Sequence, residues 1–485
     1  MVAWTVDEAH GAVFLADSGG VLRELVRLPP VVQLAGKARC SLVRREAADS
    51  YRLDLGSSRD QGDRMNVAKM RQLDRWLGVP ACFVLTLVRK LFGWRSPGQS
   101  FVPERILFVK LAEQGSTVLA GAALRCAIQK VGRENVFFLL FAENRPILDL
   151  MELIPAENVI AINAGNLRSA VFGALAAIYR MRRAKIDAAI DLEFFARSSA
   201  ALCYLSGARG RAGYHSYNGE AAYRGDLMTH RLSFNPYLHT SQTFQILVEA
   251  LDQPASAFPR FDTEPPPIEP LSCNFRPRDE EVEAVERLLE SLLGSNAKSG
   301  LLLLNANASD LVPLRRWPSE RYVELARRLL GAYQDMRVIF TGAPGEASVV
   351  DELVKQVGSS RCVSVAGKTS LRQLLVLYSL AEVLVTNDSG PAHFATLTPV
   401  DVVVLFGPET PRLFAAVSPR THPLWAGTVC SPCINAFNDR NSACTDNVCM
   451  QRIGVNQVFE EVCRLYDARR LRQPRTLPLP VRRSA

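Results

Sequence analysis

Asp388, Ser389, Gly390, Pro391 and His393 crowd into one turn directly after an apolar run at 383–385. The run reads as a short buried strand. Asp388 or Ser389 can cap a helix, Gly390 lets another backbone approach closely, and Pro391 suits a first helical turn. A helix through 393–397 and a second buried strand at 402–406 follow. Such a strand–turn–helix–strand unit has free backbone N–H groups at its mouth, a setting suited to a diphosphate. His393 lies one turn inside and can point at the same anion. The plainer reading is that these are ordinary cap residues. Five of them in one turn weigh against it.

The elements that must position this turn repeat along the chain. RILFVKL at 105–111 reads as a first strand, NVFFLLF at 135–141 as the next, and ENVIAI, a helix near 167–183 and KIDAAIDL follow. Asp191, Glu193, Arg197 and Ser198 stand at a strand end, where open α/β sheets place their ligands. The plainer role for Arg197 is to pair with one of those acids. Prolines gather at 254–278, the expected crossing between two domains. GLLLLNANAS then opens a second strand–helix series. His215, Tyr217, His230 and His239 lack metal-ligand spacing and read as loop residues.

DSGPAHFATLTPVDVVVLFGPETP closely resembles the C-terminal signature of glycosyltransferase family 9, the ADP-heptose:lipopolysaccharide heptosyltransferase family. Its usual form is D-[ST]-G-x-x-H-x-A, a strand, then F-G-P-T. Agreement in order and spacing extends over roughly 70–465. The resemblance implies an α/β protein of GT-B architecture: two facing Rossmann-like domains with a cleft between them. It implies that Arg315, beside Trp317-Pro318, meets the donor phosphate, a role that suits arginine's planar fork and fixed charge. Asn305 and Asn307 then line the donor loop and Glu346 contacts the ribose. Lys368 and Thr369 could reach the nucleotide, although P-loop spacing is missing. On the acceptor side it implies Gly115, Asp191 and Arg197. In this architecture the last helix often crosses back to the first domain.

One departure bears on chemistry. The family's first loop carries Gly-Asp, the Asp being its proposed catalytic base; here the pair is Gly115-Ser116. Serine alone is too weak a base near neutral pH. Glu113, in the same loop, could supply a displaced carboxylate; Glu143 is less favoured. As a plainer role, Glu113 is a solvated loop acid or a helix cap.

Composition bounds the rest. A chain of 485 residues implies two or three domains, and 48% hydrophobic with 22% charged residues is that of a folded protein. A net charge of +8 fits anionic ligands. The start of the chain has acids where a signal peptide needs bases, and most of the eleven cysteines stand singly. A reducing cytoplasm is expected. Cys430, Cys433, Cys444 and Cys449 have spacing that can hold structural zinc, but it matches no standard zinc module closely, and free or redox-labile thiols are the favoured reading. Residues 81–88 are apolar, too short to span a bilayer, and ringed by Arg71, Arg75, Arg89, Lys90, Arg95 and tryptophans. They read either as a membrane-surface helix or as a helix packed on the next domain.

The expected organisation is an extension at 1–64, or a native start at Met65 or Met70; a basic amphipathic helix at 65–100; an acceptor domain at 101–262; a nucleotide-sugar domain at 263–470; and a basic tail at 471–485. The expected function is inverting sugar transfer from a nucleotide diphosphate to a lipopolysaccharide core or related lipid-linked glycan. No D-x-D sequence is present, so no catalytic metal or other cofactor is expected, and no nucleic-acid partner. Two other classes fit the same architecture: a sugar-nucleotide epimerase, and a catalytically silent nucleotide-sugar-binding protein.

Overall fold

Three short strands, β1 (Trp4–Asp7), β2 (Ala12–Ala16) and β3 (Leu22–Arg27), pair antiparallel in chain order. The sequence there reads as turn-rich and weakly periodic, yet strands of four to six residues suffice when each pairs with its chain neighbour. Residues 1–62 form a unit apart from 63–485. The computed structural model describes residues 4–7, 12–16, 22–27, 67–91, 101–271, 275–294, 300–308, 312–438 and 440–472. The end of the extension expected at 1–64 and the basic tail beyond Arg472 lie outside the described residues.

In the larger unit, apolar runs bounded by turn residues make strands buried on both faces, as parallel sheets require. The first sheet holds β4 (Ile106–Val109), β5 (Val136–Phe141), β6 (Val159–Ile162), β7 (Ala188–Asp191), β8 (Gly210–Tyr214) and β9 (His230–Leu232). Its order is β6-β5-β4-β7-β8-β9, all parallel. The second holds β10 (Leu301–Asn305), β11 (Arg337–Phe340), β12 (Cys362–Ser364), β13 (Val383–Asn387), β14 (Asp401–Phe406) and β15 (Thr421–Trp425). It repeats the same order, β12-β11-β10-β13-β14-β15, again all parallel. Each sheet reverses direction of growth beside its first strand, the place where doubly wound sheets bind ligands. Asn305 of β10 lies beside Thr386 of β13, so the loops after both strands leave the sheet at one level.

Helix α1 (Val67–Leu91) lies inside the stretch 65–100. One line of it, Asp74, Gly78, Cys82, Thr86 and Arg89, faces the first sheet's layer. Asp74 accepts from the backbone N–H groups of Arg197 and Ser198. It thereby caps α4 (Arg197–Leu205), which follows α2 (Gln114–Leu119) and α3 (Leu167–Arg183) in the chain and whose own cap position holds Ala196. Arg89 pairs with Asp226. The opposite line is apolar and exposed: Trp76 is 73% and Phe83 60% accessible. α3 carries a similar outward stripe, with Phe172 at 70%. Both helices pack their inner sides into the same apolar cluster over the first sheet. Among the described residues no helix is long and apolar enough to cross a membrane.

The turn helix α5 (Gly390–Ala395) follows β13, and the last helix, α6 (Val455–Arg472), stays on the second half. This corrects the expected crossing. Arg469 binds Glu382 and Asp401, and Tyr466 packs on Tyr333, so the helix's polar and apolar partners all belong to its own domain.

Candidate active site

The turn after β13 is fixed by a side chain that makes four hydrogen bonds. Asn387 Oδ1 accepts from Trp317 N–H at 3.0 Å and from Tyr322 O–H at 3.1 Å. Its Nδ2 donates to the carbonyls of Ala306 and Asn307. The buried Trp317 indole in turn donates to Ile453 O at 2.9 Å. The Trp-Pro pair therefore locks the loop after β10 against the turn after β13. Neither Asp388 nor Ser389 caps α5 as the sequence implied; Ser389 O–H donates to Asn387 O, and the helix start opens on the cleft.

That cleft measures about 620 Å³ and takes its walls from both halves. Asn305, Asn307, Arg315, Glu346, Asp388, Ser389, Gly390, Pro391 and His393 line it from the second half; Glu113, Gly115, Ser116 and Glu143 line it from the first. The approach is close enough to require a glycine. A Cβ on Gly115 would stand 2.6 Å from His393 Cδ2.

An alternating chain of charges crosses the opening. Lys110 Nζ lies 3.5 Å from Glu113, which also pairs with Arg440 and accepts from Ser116 O–H at 3.0 Å. Arg440 Nε stands 3.8 Å from Glu409; Arg315 donates to Glu409 at 2.6 Å and lies 3.8 Å from the Asp388 carboxylate. Burial would push the Glu113 carboxyl up, but Arg440, Lys110 and Arg315 outweigh it and hold it well below the usual carboxylate range. Asp388 and Glu409 split apart: burial drives Asp388 well up, while Arg315 and Arg440 overcome burial to keep Glu409 ionised. Burial, His239 and Arg315 push His393 down to about 3. Asn307 Nδ2, Asp388 Oδ2, His393 Nδ1, Arg315 Nε, Glu409 Oε1 and Arg440 Nε are buried and make no hydrogen bond within the protein. Arg315 Nε and Asp388 Oδ2 oppose each other at 3.8 Å, as do Arg440 Nε and Glu409 Oε1, too far for hydrogen bonds but near enough for a polar group to enter between them.

Three expected site residues stand elsewhere. Lys368 is exposed and donates to Ser364 O at 3.0 Å; only its neighbour Thr369 lines the cleft. Asp191 is wholly buried, paired with Arg224 and accepting from Ser199 O–H. Arg197 is held by Asp74 of α1, not by Asp191 or Glu193. Both are removed from an acceptor by their own partners. Asp191 acts at one remove: Arg224 donates to the carbonyls of Glu193 and Phe194, and Glu193 accepts from Leu111 N–H, Ala112 N–H and Lys110. The strand end thus shapes the Glu113 loop. Glu346 accepts from Ala343 N–H at 2.7 Å, which closes the turn it starts.

The zinc alternative is not supported by the arrangement: among the described residues no group of three or more Cys, His, Asp or Glu could hold a metal ion. Cys449 lies within electrostatic reach of Cys430, Cys433 and Cys444, while Cys433 accepts from Ser442 O–H and Cys444 donates to Asp446 O. His239 hydrogen bonds with Ala415 O across the domain boundary, so it is more than a loop residue.

Sequence reasoning missed Glu409 and Arg440. Glu409 had a signal, since it follows β14 at the sheet's ligand-binding end. Arg440 had none: it is one arginine in the polar segment 435–442, brought to the cleft by the path of the chain.

The sequence model of "Glycosyltransferase family 9 (heptosyltransferase)" matches residues 175–442. Lipopolysaccharide heptosyltransferase 2 of Salmonella typhimurium is 32% identical over 102 residues, 20% of this chain and 29% of that protein. The matched segment thus spans less than a third of the relative's length. In structure, the chain is similar to E. coli ADP-heptose lps heptosyltransferase II, with a TM-score of 0.55 at 18% identity over 76% of this chain and 99% of that one. It is likewise similar to a glycosyl transferase family 9 protein from Veillonella parvula, with a TM-score of 0.58 at 19% identity over 77% and 100%. At these identities the structural likeness speaks for the fold, two facing α/β domains.

Proposed function

The chain belongs to glycosyltransferase family 9, and from that premise we propose that it transfers a heptose-like sugar, with inversion, from a nucleotide diphosphate to a lipopolysaccharide-core or related glycan hydroxyl. The observation that carries this reading is the two-walled cleft, where the turn at Asp388–His393 and Arg315 face Glu113 across buried polar atoms that make no hydrogen bond within the protein. ADP-heptose, named for the E. coli relative, is the first donor to try.

In the proposed reaction the acceptor oxygen attacks the anomeric carbon as the bond to the diphosphate oxygen breaks. The bonding pair leaves on the diphosphate, and the acceptor proton passes to a base. Glu113 is the proposed base, with Ser116 orienting its carboxylate. Arg315 neutralises charge on the leaving group, and neutral His393 donates its ring N–H to a phosphate or sugar oxygen. Positive charge from arginine supports a reaction that does not need a cation.

The outward apolar stripes of α1 and α3 support a second part of the reading: the protein works at the cytoplasmic face of a membrane whose anionic lipids meet the exposed Lys90, Arg168, Arg182 and Arg183.

Thermal-shift binding with ADP, UDP and GDP and their sugars, on wild type and Asp388→Ala, tests the donor site. Stabilisation by one nucleotide, lost in the variant, is expected. Release of that nucleotide only when acceptor glycan is present separates a transferase from the epimerase and binding-protein readings. Free sugar-nucleotide conversion without acceptor, or binding without turnover on any acceptor, overturns it.

A further inference from the structure

Around Phe437 the chain reaches across to the first half, while the N–H groups of Cys433 and Ile434 before it donate to Pro408 O and Asn447 after it donates to Leu314 O and Arg316 O, all in the second half. Phe437 stacks on Phe195 at 5.9 Å and meets Phe234 edge-on at 5.3 Å, both rings of the first domain. Next to it, Asn435 Oδ1 accepts from the N–H groups of Phe437 and Asn438, and Arg440 N–H donates to Asn435 O. Arg440 takes a left-handed backbone, φ 56°, which a side-chain-bearing residue adopts only when its surroundings hold it. Its guanidinium lies over the Phe414 ring and enters the cleft between Glu113 and Glu409. A fixed, cleft-facing guanidinium whose Nε makes no hydrogen bond is built to take oxygen ligands.

Resting on the donor-site reading, we propose that Arg440 is a ligand of the donor's diphosphate, and that its pairing with Glu113 is a gate which the donor opens. A phosphate oxygen and the Glu113 carboxylate compete for one guanidinium fork. When the diphosphate takes it, Glu113 exchanges a tight ion pair for the looser neighbours Lys110 and Ser116, and its carboxylate becomes free to accept a proton. The base is therefore masked in the empty enzyme and unmasked only with donor in place. This orders the two substrates and keeps the carboxylate from acting before a leaving group is bound.

The competition makes a prediction of opposite signs. Calorimetric titration uses whichever of ADP, UDP or GDP binds the wild type. Arg440→Ala should weaken that diphosphate about tenfold or more, with little effect on the matching nucleoside. Glu113→Gln should tighten it, by about threefold to tenfold, because it removes the competitor. Glu113→Gln placed on Arg440→Ala should give no tightening, which closes the cycle. Arg440→Lys keeps the charge without the fork and repeats the comparison where the alanine variant folds poorly. A merely structural ion pair predicts that Glu113→Gln lowers melting temperature and weakens binding, and that result overturns the proposal. Loss of binding in Asp388→Ala with no change in the Arg440 variants overturns this inference while the donor site stands. No binding by any nucleotide to the wild type overturns both.

Discussion

His393 is buried beside the cleft with Nδ1 unpaired, and burial, His239 and Arg315 push its pKa down to about 3. An unfolded histidine protonates near 6.5. Between these values the unfolded chain holds a proton that the native protein does not, so stability falls as pH drops through the window. The His393 share is about 2 kcal/mol between pH 6.5 and 5. Urea unfolding should show that slope flattening in His393→Gln. The imidazole should also stay neutral across the working range, so its NMR signal should not move between pH 8 and 5; a midpoint near 6 would rule out the hydrogen-bonding role given to the neutral ring. At the same scale, Asp388 and the D-S-G-P-x-H spacing were legible because a turn is encoded by adjacent residues. Asp191 was legible as a strand-end acid but not as Arg224's partner, since that arginine arrives from a later loop.

α1 shows how an element can be read correctly and still leave its orientation open. Its apolar and basic residues announced an amphipathic helix, and of the two readings the contacts show the packing on the neighbouring domain. The polar line docks on α4 through Asp74 and Arg89, while the apolar line faces outward. A helix that presents its apolar side to solvent invites a second surface. In flotation assays the full chain should bind vesicles containing phosphatidylglycerol more than neutral ones. Replacing Trp76 and Phe83 with serine should reduce binding by about tenfold or more, since each buried aromatic contributes roughly 1.5–3 kcal/mol. Equal binding by variant and wild type would reject the membrane surface. The Cys-rich segment reverses the case: its cysteines drew attention as a metal site, whereas Arg440 is what reaches the cleft, with Phe437 packed on Phe195 and Phe234.

At the scale of the molecule, the two halves meet where α2 and α5 touch, and Gly115 permits that contact. Gly115→Ala pushes a methyl into the His393 ring, and the halves must separate by a few tenths of an ångström or more. Misplacement across a reacting pair can cost up to about a hundredfold in rate. The expected outcome is a kcat lower by about tenfold or more with nucleotide affinity nearly unchanged. Unaltered kcat would mean that the closed contact does not set the reacting geometry.

The sequence by itself determined the two α/β halves, their parallel strands and the turn at Asp388–His393. Each is written in runs of a few neighbouring residues, and backbone conformation and burial respond to such runs directly. Tertiary structure alone decided which charges meet. Glu113 and Arg440 are 327 positions apart, and nothing near either one names the other. Their pairing follows from the angle at which the halves close and from where Phe437 seats, and it is this pairing that turns a misplaced loop acid into a candidate for a gated base.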